Sequence, residues 1–195
     1  MGCPRILALG TMHEVGYWEG PVDADTPTNP QSLYGVAKDA LRRALLLALP
    51  DHTSMVWARA YYIYGDDRRS NSIFHKMLEA AEEGRTSFPF TSGKNQYDFI
   101  RVEELGRQLA ALAEAADVTG IVNCCSGEPV SLAAKAEQFI DENHLDISLD
   151  YGAFPDRPYD SPGVWGDATA IAALMARGSD SAGAPANGAC RAPRY

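Results

Sequence analysis

Two stretches of sequence decide the fold: Arg5-Ile6-Leu7-Ala8-Leu9-Gly10 and Ser32-Leu33-Tyr34-Gly35-Val36-Ala37-Lys38. The first is a short, continuous apolar run that ends in glycine, which is typical of a strand buried in a parallel sheet. The second opens a segment whose apolar residues recur at helical spacing as far as Leu49. Ser32 is the expected N-terminal cap of this helix, and Pro50 ends it. A strand, a loop and a helix in this order predict an α/β unit.

The rest of the chain continues the alternation. Further strands are predicted over residues 55–64, 97–100, 121–124 and 147–151, with a short apolar piece around Phe88. Further helices are predicted over residues 73–83, 102–116, 131–143 and 167–176. Strands that alternate with helices at this spacing predict an α/β fold with a parallel sheet.

The composition indicates a globular domain and a short tail. The chain has 195 residues, of which 46% are hydrophobic and 22% charged, which is enough apolar material for a core. From Gly178 onward the sequence consists mainly of Gly, Ala and Pro and has almost no large apolar side chain. We therefore expect one domain over residues 1–177 and a disordered tail over residues 178–195.

Charge and apolar patterning exclude several classes of function. The formal net charge of −9 argues against binding of nucleic acid, because that affinity depends largely on Lys and Arg. The longest apolar run, over residues 44–49, is too short to span a membrane, and no signal peptide precedes it. The four cysteines show no zinc-ligand spacing, and the neighbours Cys124 and Cys125 are poorly placed for a disulfide. The sequence thus predicts a cytoplasmic protein that binds neither a metal nor a membrane.

Tyr34 and Lys38 are the first candidates for chemistry. Residues four apart on a helix share a face, so the phenol and the ammonium project to the same side. An ammonium nearby favours the phenolate, the form in which a tyrosine acts as a base. A Tyr–Lys pair at this spacing also arises by chance on helix surfaces. Thr11 adds context, because it follows the first predicted strand at the end where ligands bind in open α/β sheets.

Five segments, in order, resemble those of the extended short-chain dehydrogenase/reductases of the NAD-dependent epimerase/dehydratase family, over roughly residues 5–176. They are Thr11 with Tyr34-Gly35-Val36-Ala37-Lys38, then Arg59-Ala60-Tyr61-Tyr62-Ile63-Tyr64-Gly65, Tyr97-Asp98-Phe99-Ile100-Arg101-Val102, Ile121-Val122-Asn123 with Ser126 to Ser131, and Arg157-Pro158-Tyr159-Asp160 with Trp165-Gly166-Asp167. The resemblance implies the rear part of a Rossmann-type parallel sheet. It also implies a small C-terminal substrate-binding lobe, built mainly from residues 66–100 and 129–165.

The resemblance implies catalytic and cofactor-binding roles for three residues. Tyr34 would be the acid/base that exchanges a proton with a sugar hydroxyl during hydride transfer. Lys38 would hold the nicotinamide ribose of NAD or NADP and favour the Tyr34 phenolate. Thr11 would hydrogen-bond the same reacting hydroxyl, although Met12 could occupy that position instead.

Four further residues are implied as substrate contacts. Arg157 would bind the diphosphate of a nucleotide-sugar, since its planar guanidinium suits phosphate oxygens. Asp160 would accept a hydrogen bond from a ribose hydroxyl or orient Arg157. Glu14 would keep half of the acidic pair that dehydratases of the family carry after the Thr; the alternative is that Glu14, like His13, is an ordinary loop residue. Tyr62 stands where the family often has a substrate-binding Asn.

Besides Tyr62, the sequence departs from the family pattern in two respects. Tyr97 stands where many epimerases have a phosphate-binding Arg, and no Gly-x-x-Gly-x-x-Gly fingerprint for the dinucleotide is present. In the family that fingerprint lies about a hundred residues before the Thr strand, so it would have to precede Met1. We therefore expect an NAD(P)-dependent nucleotide-sugar epimerase, dehydratase or reductase. Its N-terminal half would come from a longer gene product or from a partner chain, and the partner expected is a homodimer or a chain that supplies this half. The alternative is a truncated, non-catalytic remnant that binds no cofactor on its own.

Overall fold

The computed structural model describes residues 3–65, 72–156 and 160–181. Its strands are β1 (Arg5–Thr11), β2 (Gly20–Val22), β3 (Ser54–Ala60), β4 (Tyr62–Tyr64), β5 (Ser87–Pro89), β6 (Gln96–Arg101), β7 (Gly120–Cys124), β8 (Pro129–Ser131), β9 (Ser148–Asp150) and β10 (Gly163–Gly166). Its helices are α1 (Leu33–Ala48), α2 (Ile73–Glu82), α3 (Val102–Glu114), α4 (Leu132–Glu142) and α5 (Thr169–Ser181). The predicted α/β class is confirmed.

The main sheet consists of three parallel strands in the order β1-β3-β7. The register aligns Thr11 with Ala60 and Arg59 with Asn123, so the carboxyl ends of the three strands meet at one edge. Helices α3 and α5 cover one face, where apolar side chains such as Val56, Leu112 and Ile171 form a core. The Rossmann-type arrangement expected from the sequence therefore appears, with the candidate residues at the edge that binds ligands in such sheets.

Helix α1 lies against β1 and the short 3₁₀ turn Met12–Glu14. Its outer side remains open: Leu33 and Leu47 are each 89% exposed. The predicted cap is confirmed, because the Ser32 hydroxyl accepts a hydrogen bond from the Gly35 N–H at 3.1 Å. The helix ends before Pro50, as expected.

The single strand predicted over residues 55–64 is wrong. Tyr61 separates β3 from β4, and the two strands enter different sheets: β3 pairs with β1 and β7, whereas β4 pairs with β6. A continuous apolar run indicates burial but does not show where the chain turns from one sheet into another. The same segment therefore links the main sheet to the lobe.

The lobe contains a sheet of strands β2, β10, β6 and β4, with β8 added antiparallel to β6. Helices α2 and α4 and the parallel pair β5–β9 surround a second core that is rich in aromatic side chains, including Phe74, Phe90 and Phe139. Most of these elements come from the two ranges predicted for the lobe. Strands β2 and β4 come from earlier in the chain and were not expected in it.

The last helix extends beyond its predicted end. Its backbone is helical to Ser181, four residues into the expected tail, and residues 182–195 lie outside the described residues. Within the part of the chain that the structure describes, no helix combines the length and apolar character required to cross a membrane.

Candidate active site

Tyr34 and Lys38 lie together on α1, beside the end of β1. The Lys38 ammonium donates a hydrogen bond to the Leu9 carbonyl oxygen at 2.8 Å and lies 6.0 Å from the centre of the Tyr34 ring. Tyr34 is 53% exposed, so a ligand can reach its phenol. The backbone of β1 thus anchors the cation, and the cation stands next to the phenol, as the spacing predicts.

Gly35 explains how α1 begins so close to the preceding loop. A Cβ added at this residue would lie 2.3 Å from the His13 carbonyl oxygen and 3.0 Å from the Pro30 Cβ. Only glycine permits that approach, because any side chain would push the helix away. The glycine directly after Tyr34 therefore fixes where the tyrosine sits relative to β1.

Thr11 caps the 3₁₀ turn that follows β1. Its hydroxyl accepts a hydrogen bond from the His13 N–H at 3.4 Å, and Thr11 is only 6% exposed. Met12, which directly follows it, lines the cavity in front of Tyr34. The sequence ambiguity between these two positions therefore remains: Thr11 carries the hydroxyl, whereas Met12 borders the space.

The structure corrects the substrate contact expected at Glu14. Its side chain is fully buried, and its two carboxylate oxygens accept hydrogen bonds from the Thr11 N–H at 2.7 Å and the Trp57 indole N–H at 2.8 Å. The Arg59 Nε lies 3.9 Å away. Burial raises the pKa of Glu14. The two hydrogen bonds and Arg59 act in the opposite direction and offset part of this shift. Because the carboxylate points into the interior, it orders the loop rather than contacting a substrate.

A cavity of about 350 Å³, here called the reaction cavity, lies in front of Tyr34. It is lined by Met12, His13, Gly16, Tyr17, Gln31, Ser32, Tyr34, Tyr62, Tyr97, Asp160, Ser161 and Val164. Hydroxyl and amide groups alternate with apolar walls, which suits a sugar ring: its hydroxyls need hydrogen-bond partners and its carbons need contact surface.

A second cavity, here called the aromatic cavity, has a volume of about 460 Å³. It is lined by His13, Tyr62, Ile63, Ser72, Ile73, Phe74, Thr91, Asn95, Tyr97, Phe99, Leu132, Asp156 and Asp160. Four of these residues also line the reaction cavity: His13, Tyr62, Tyr97 and Asp160. The two cavities are therefore neighbours with a shared wall.

Tyr62 and Tyr97 form the aromatic part of this shared wall. Their ring centres lie 4.6 Å apart, and burial raises the pKa of the Tyr62 phenol, with Tyr97 and Asp160 adding to the effect. Tyr62 thus remains a neutral hydrogen-bonding group beside both cavities. Tyr62 lines both cavities, and its role as a substrate contact stays a prediction.

Asp160 lies at the same wall, whereas Arg157 lies outside the described residues. The expected pairing of the two, and the contact of Arg157 with a diphosphate, remain predictions. Sequence reasoning gave little weight to His13, yet this residue borders both cavities and touches the rings of Tyr34 and Tyr62 edge-on, at 5.9 and 5.8 Å between centres. Its place directly after Thr11 and Met12 was the available signal.

Asp98 holds the lobe against the end of the main sheet. It is fully buried, and its carboxylate accepts hydrogen bonds from the Ser126 N–H and hydroxyl, the Gly127 N–H and the Gly166 N–H, at 2.7–3.2 Å. These donors come from the loop after β7 and from β10. The sequence identified this aspartate as part of a motif but not as the connection between these elements.

A parallel sheet with a Tyr–Lys pair and a ligand cavity at its carboxyl edge defines a Rossmann-type protein with a candidate active site. The sequence profile of the NAD dependent epimerase/dehydratase family matches residues 1–125, nearly two thirds of the chain. The chain therefore belongs to this family, as the resemblance implied.

One curated relative is similar to the chain in sequence, and two solved structures are similar to it in fold. The chain is 46% identical, over 168 residues, to the dTDP-6-deoxy-L-talose 4-dehydrogenase (NAD(+)) of Aggregatibacter actinomycetemcomitans. Its fold is similar to that of MoeE5 in complex with UDP-glucuronic acid and NAD (TM-score 0.74, 22% identity, 88% of this chain and 58% of that chain). It is also similar to UDP-glucuronic acid 4-epimerase from Bacillus cereus in complex with UDP-glucuronic acid and NAD (TM-score 0.77, 19% identity, 90% of this chain and 56% of that chain). The matched region is 85% of this chain but only 62% of the curated relative.

The described residues fit one end of a nicotinamide dinucleotide. Tyr34 borders the reaction cavity and Lys38 stands behind it, at the sheet edge where dinucleotides bind in open α/β folds. The sequence contains no Gly-rich turn from a strand into a helix to cradle the pyrophosphate. The fit therefore covers the reacting end of the cofactor and not its pyrophosphate.

Proposed function

We propose that this chain carries the catalytic and substrate-binding residues of an NAD(P)-dependent oxidoreductase that acts on a hydroxyl of a nucleotide-sugar. The observation that supports this most directly is the arrangement of Tyr34, Lys38 and the Leu9 carbonyl oxygen at the mouth of the reaction cavity. The curated relative, a 4-dehydrogenase that uses NAD(+), favours oxidation of a sugar 4-hydroxyl and the reverse reduction over the other reactions of the family.

In this proposal each residue has a specific task. NAD, when bound, supplies the hydride acceptor. The Tyr34 phenolate takes the proton of the sugar hydroxyl and returns it in the reverse direction. The Lys38 ammonium, held by the Leu9 carbonyl oxygen, would hold the nicotinamide ribose. Thr11 hydrogen-bonds the same hydroxyl, unless Met12 occupies that position. Arg157 and Asp160 hold the nucleotide portion.

The test is the change Tyr34→Phe, which removes the hydroxyl and keeps the ring. We expect turnover of a dTDP-6-deoxyhexose with NAD, followed by NADH absorbance, to fall about 100-fold or more, with an unchanged circular dichroism spectrum. The matched control is Tyr151→Phe: Tyr151 lies in the lobe, and its phenol donates a hydrogen bond to Glu137. Turnover that survives Tyr34→Phe, or that falls equally in both variants, contradicts the role of Tyr34.

A second candidate is a non-catalytic remnant that binds no cofactor. It is favoured by the missing fingerprint and by the match to only 62% of the relative's length. In the enzyme hypothesis, the pyrophosphate cradle comes from a longer product or from a partner chain. A fluorescence titration with NADH distinguishes the two candidates. Saturable binding of micromolar cofactor by this chain contradicts the hypothesis of a non-catalytic remnant.

A partner chain or a homodimer is part of the enzyme hypothesis. The leucines of α1 that face outward, Leu33 and Leu47, are suited to contact with a second polypeptide, because exposed apolar patches favour association. Analytical ultracentrifugation over a range of concentrations measures whether the chain associates with itself.

A further inference from the structure

The shared wall between the two cavities combines phenol, carboxyl and imidazole groups. Tyr62 and Tyr97 contribute phenols, and Asp160 contributes a carboxyl group. Among the described residues of this wall, His13 is the side chain that can carry a positive charge. Among the described groups of this wall, the His13 imidazole is therefore the one that can attract an anion by charge.

The two cavities suit the two ends of one ligand. The reaction cavity combines the Tyr34 phenol with polar groups such as Gln31 and Ser32, which suits a sugar. The aromatic cavity is lined by the partly exposed side chains of Tyr62, Ile73 and Tyr97 and suits a flat base. A nucleotide-sugar that occupies both places its diphosphate at the shared wall. Phosphate oxygens accept hydrogen bonds and are bound most strongly by charged donors.

We propose that His13 binds the diphosphate of the nucleotide-sugar and takes up a proton when it does so; this rests on the function proposed above. His13 is partly exposed, so its imidazole is open to a ligand. Its backbone is held in place, because the N–H donates to the Thr11 hydroxyl and the carbonyl oxygen sits against Gly35. The ring stands edge-on to Tyr34 and Tyr62, at the wall of both cavities.

The electrostatic surroundings give the direction of the proton uptake. Burial lowers the pKa of His13, and Asp160 partly opposes that shift, so the free protein favours a neutral imidazole. The other titratable groups on the elements around it are the phenols of α1, β4 and β6, the Lys38 ammonium beyond Tyr34, and the buried carboxylate of Glu14 next to it in the chain. A diphosphate at the wall adds negative charge and favours the imidazolium. Binding should therefore be tighter at lower pH.

The test is calorimetric titration of the protein with dTDP-glucose and with UDP-glucose, at about pH 6 and about pH 8, in two buffers of different ionisation enthalpy. Nucleotide-sugars are suitable probes because their diphosphate is esterified at both ends. It therefore lacks the second phosphate ionisation near pH 6 that free phosphomonoesters have. The buffer dependence of the heat gives the number of protons taken up.

The variants are His13→Gln, which keeps a hydrogen-bond donor but cannot be charged, and His52→Gln, a matched change at an exposed histidine in the turn before β3. We expect the wild-type protein and His52→Gln to take up a fraction of a proton and to lose about three- to tenfold in affinity from the lower to the higher pH. We expect His13→Gln to take up none and to show an affinity that does not change with pH.

The outcomes separate the two proposals. Binding with equal proton uptake in all three proteins, or with no uptake in the wild type, overturns the role of His13 and leaves the proposed function standing. No binding of either nucleotide-sugar by the wild-type protein contradicts the proposed function and this inference together. A variant His13→Phe, which keeps the ring contacts, should behave as His13→Gln does; if it keeps the pH dependence, the inference is wrong.

Discussion

The lobe and the outer side of the main sheet differ in how completely their apolar side chains are covered. In the lobe, Phe74 is 3% exposed and packs against Phe139, with ring centres 4.9 Å apart. On α1, Leu33 and Leu47 are each 89% exposed. Strand β1 is also an edge strand among the described residues, since it pairs with β3 on one side.

The candidate active site lies where these two regions meet. Tyr62 and Tyr97 belong to the covered lobe, whereas Tyr34 and Lys38 belong to the helix whose outer face is open. The shared wall is therefore supported within this chain, and α1 is supported mainly by its contacts with β1 and the Met12–Glu14 turn. The difference predicts that substitutions in the two regions have very different consequences for stability.

The largest effect is expected from truncation in the lobe core. Phe74→Ala removes a buried ring and leaves a cavity, so the free energy of unfolding should fall by about 3–5 kcal/mol. Leu33→Ala on the open face should change it by less than about 0.5 kcal/mol. Urea denaturation measures both. Similar losses of unfolding free energy in the two variants would show that α1 is covered in solution. The lobe and the outer side of the main sheet would then not differ as described.

A smaller effect is expected at the contact between α1 and the turn. Gly35→Ala places a methyl group 2.3 Å from the His13 carbonyl oxygen, so the unfolding free energy should fall by about 1–3 kcal/mol. The control is Gly106→Ala within α3, where an added Cβ meets no atom within 4 Å. There the higher helix propensity of Ala should stabilise the protein by about 0.5–1 kcal/mol. If both changes stabilise the protein, the close approach at Gly35 is absent in solution.

The smallest effect is a pH dependence that originates at Glu14. Because burial raises its pKa above 4.5, the folded state holds the proton more tightly than the unfolded state. This contribution to stability is present at acid pH and is lost as the pH rises through the raised value. Relative to Glu14→Gln, the wild type should therefore lose a few degrees of Tm as the pH increases from acid to neutral. A difference in Tm that stays constant or moves the other way would contradict the burial of this carboxyl group.

Much of this molecule could be predicted because the signals are local. Ser32 and Ser131 cap their helices as expected, since capping depends on the residues within one turn. The break at Tyr61 could not be predicted, because the partner of β4 is β6, more than thirty residues further along the chain. Strands β2, β8 and β10, of three or four residues each, were not predicted.

The candidate site also contains features that local sequence predicts and features that depend on contacts between distant segments. Tyr34 and Lys38 follow from helical spacing, whereas the interior position of Glu14 depends on Trp57 and Arg59, which reach it from another strand. The importance of His13 also required the fold, because only the packing of α1 and β4 around the turn places its ring at the wall of two cavities.

The sequence by itself determined the α/β class, the helix caps, the Tyr34–Lys38 pair and the resemblance to the family. Each of these depends on residue type and on spacing within a short segment. The tertiary structure alone decided that Glu14 is interior, that Asp98 joins the lobe to the sheet, and that His13 stands between two cavities. These properties depend on contacts between segments that are distant in sequence, and such contacts are set by packing of the whole chain rather than by any local pattern.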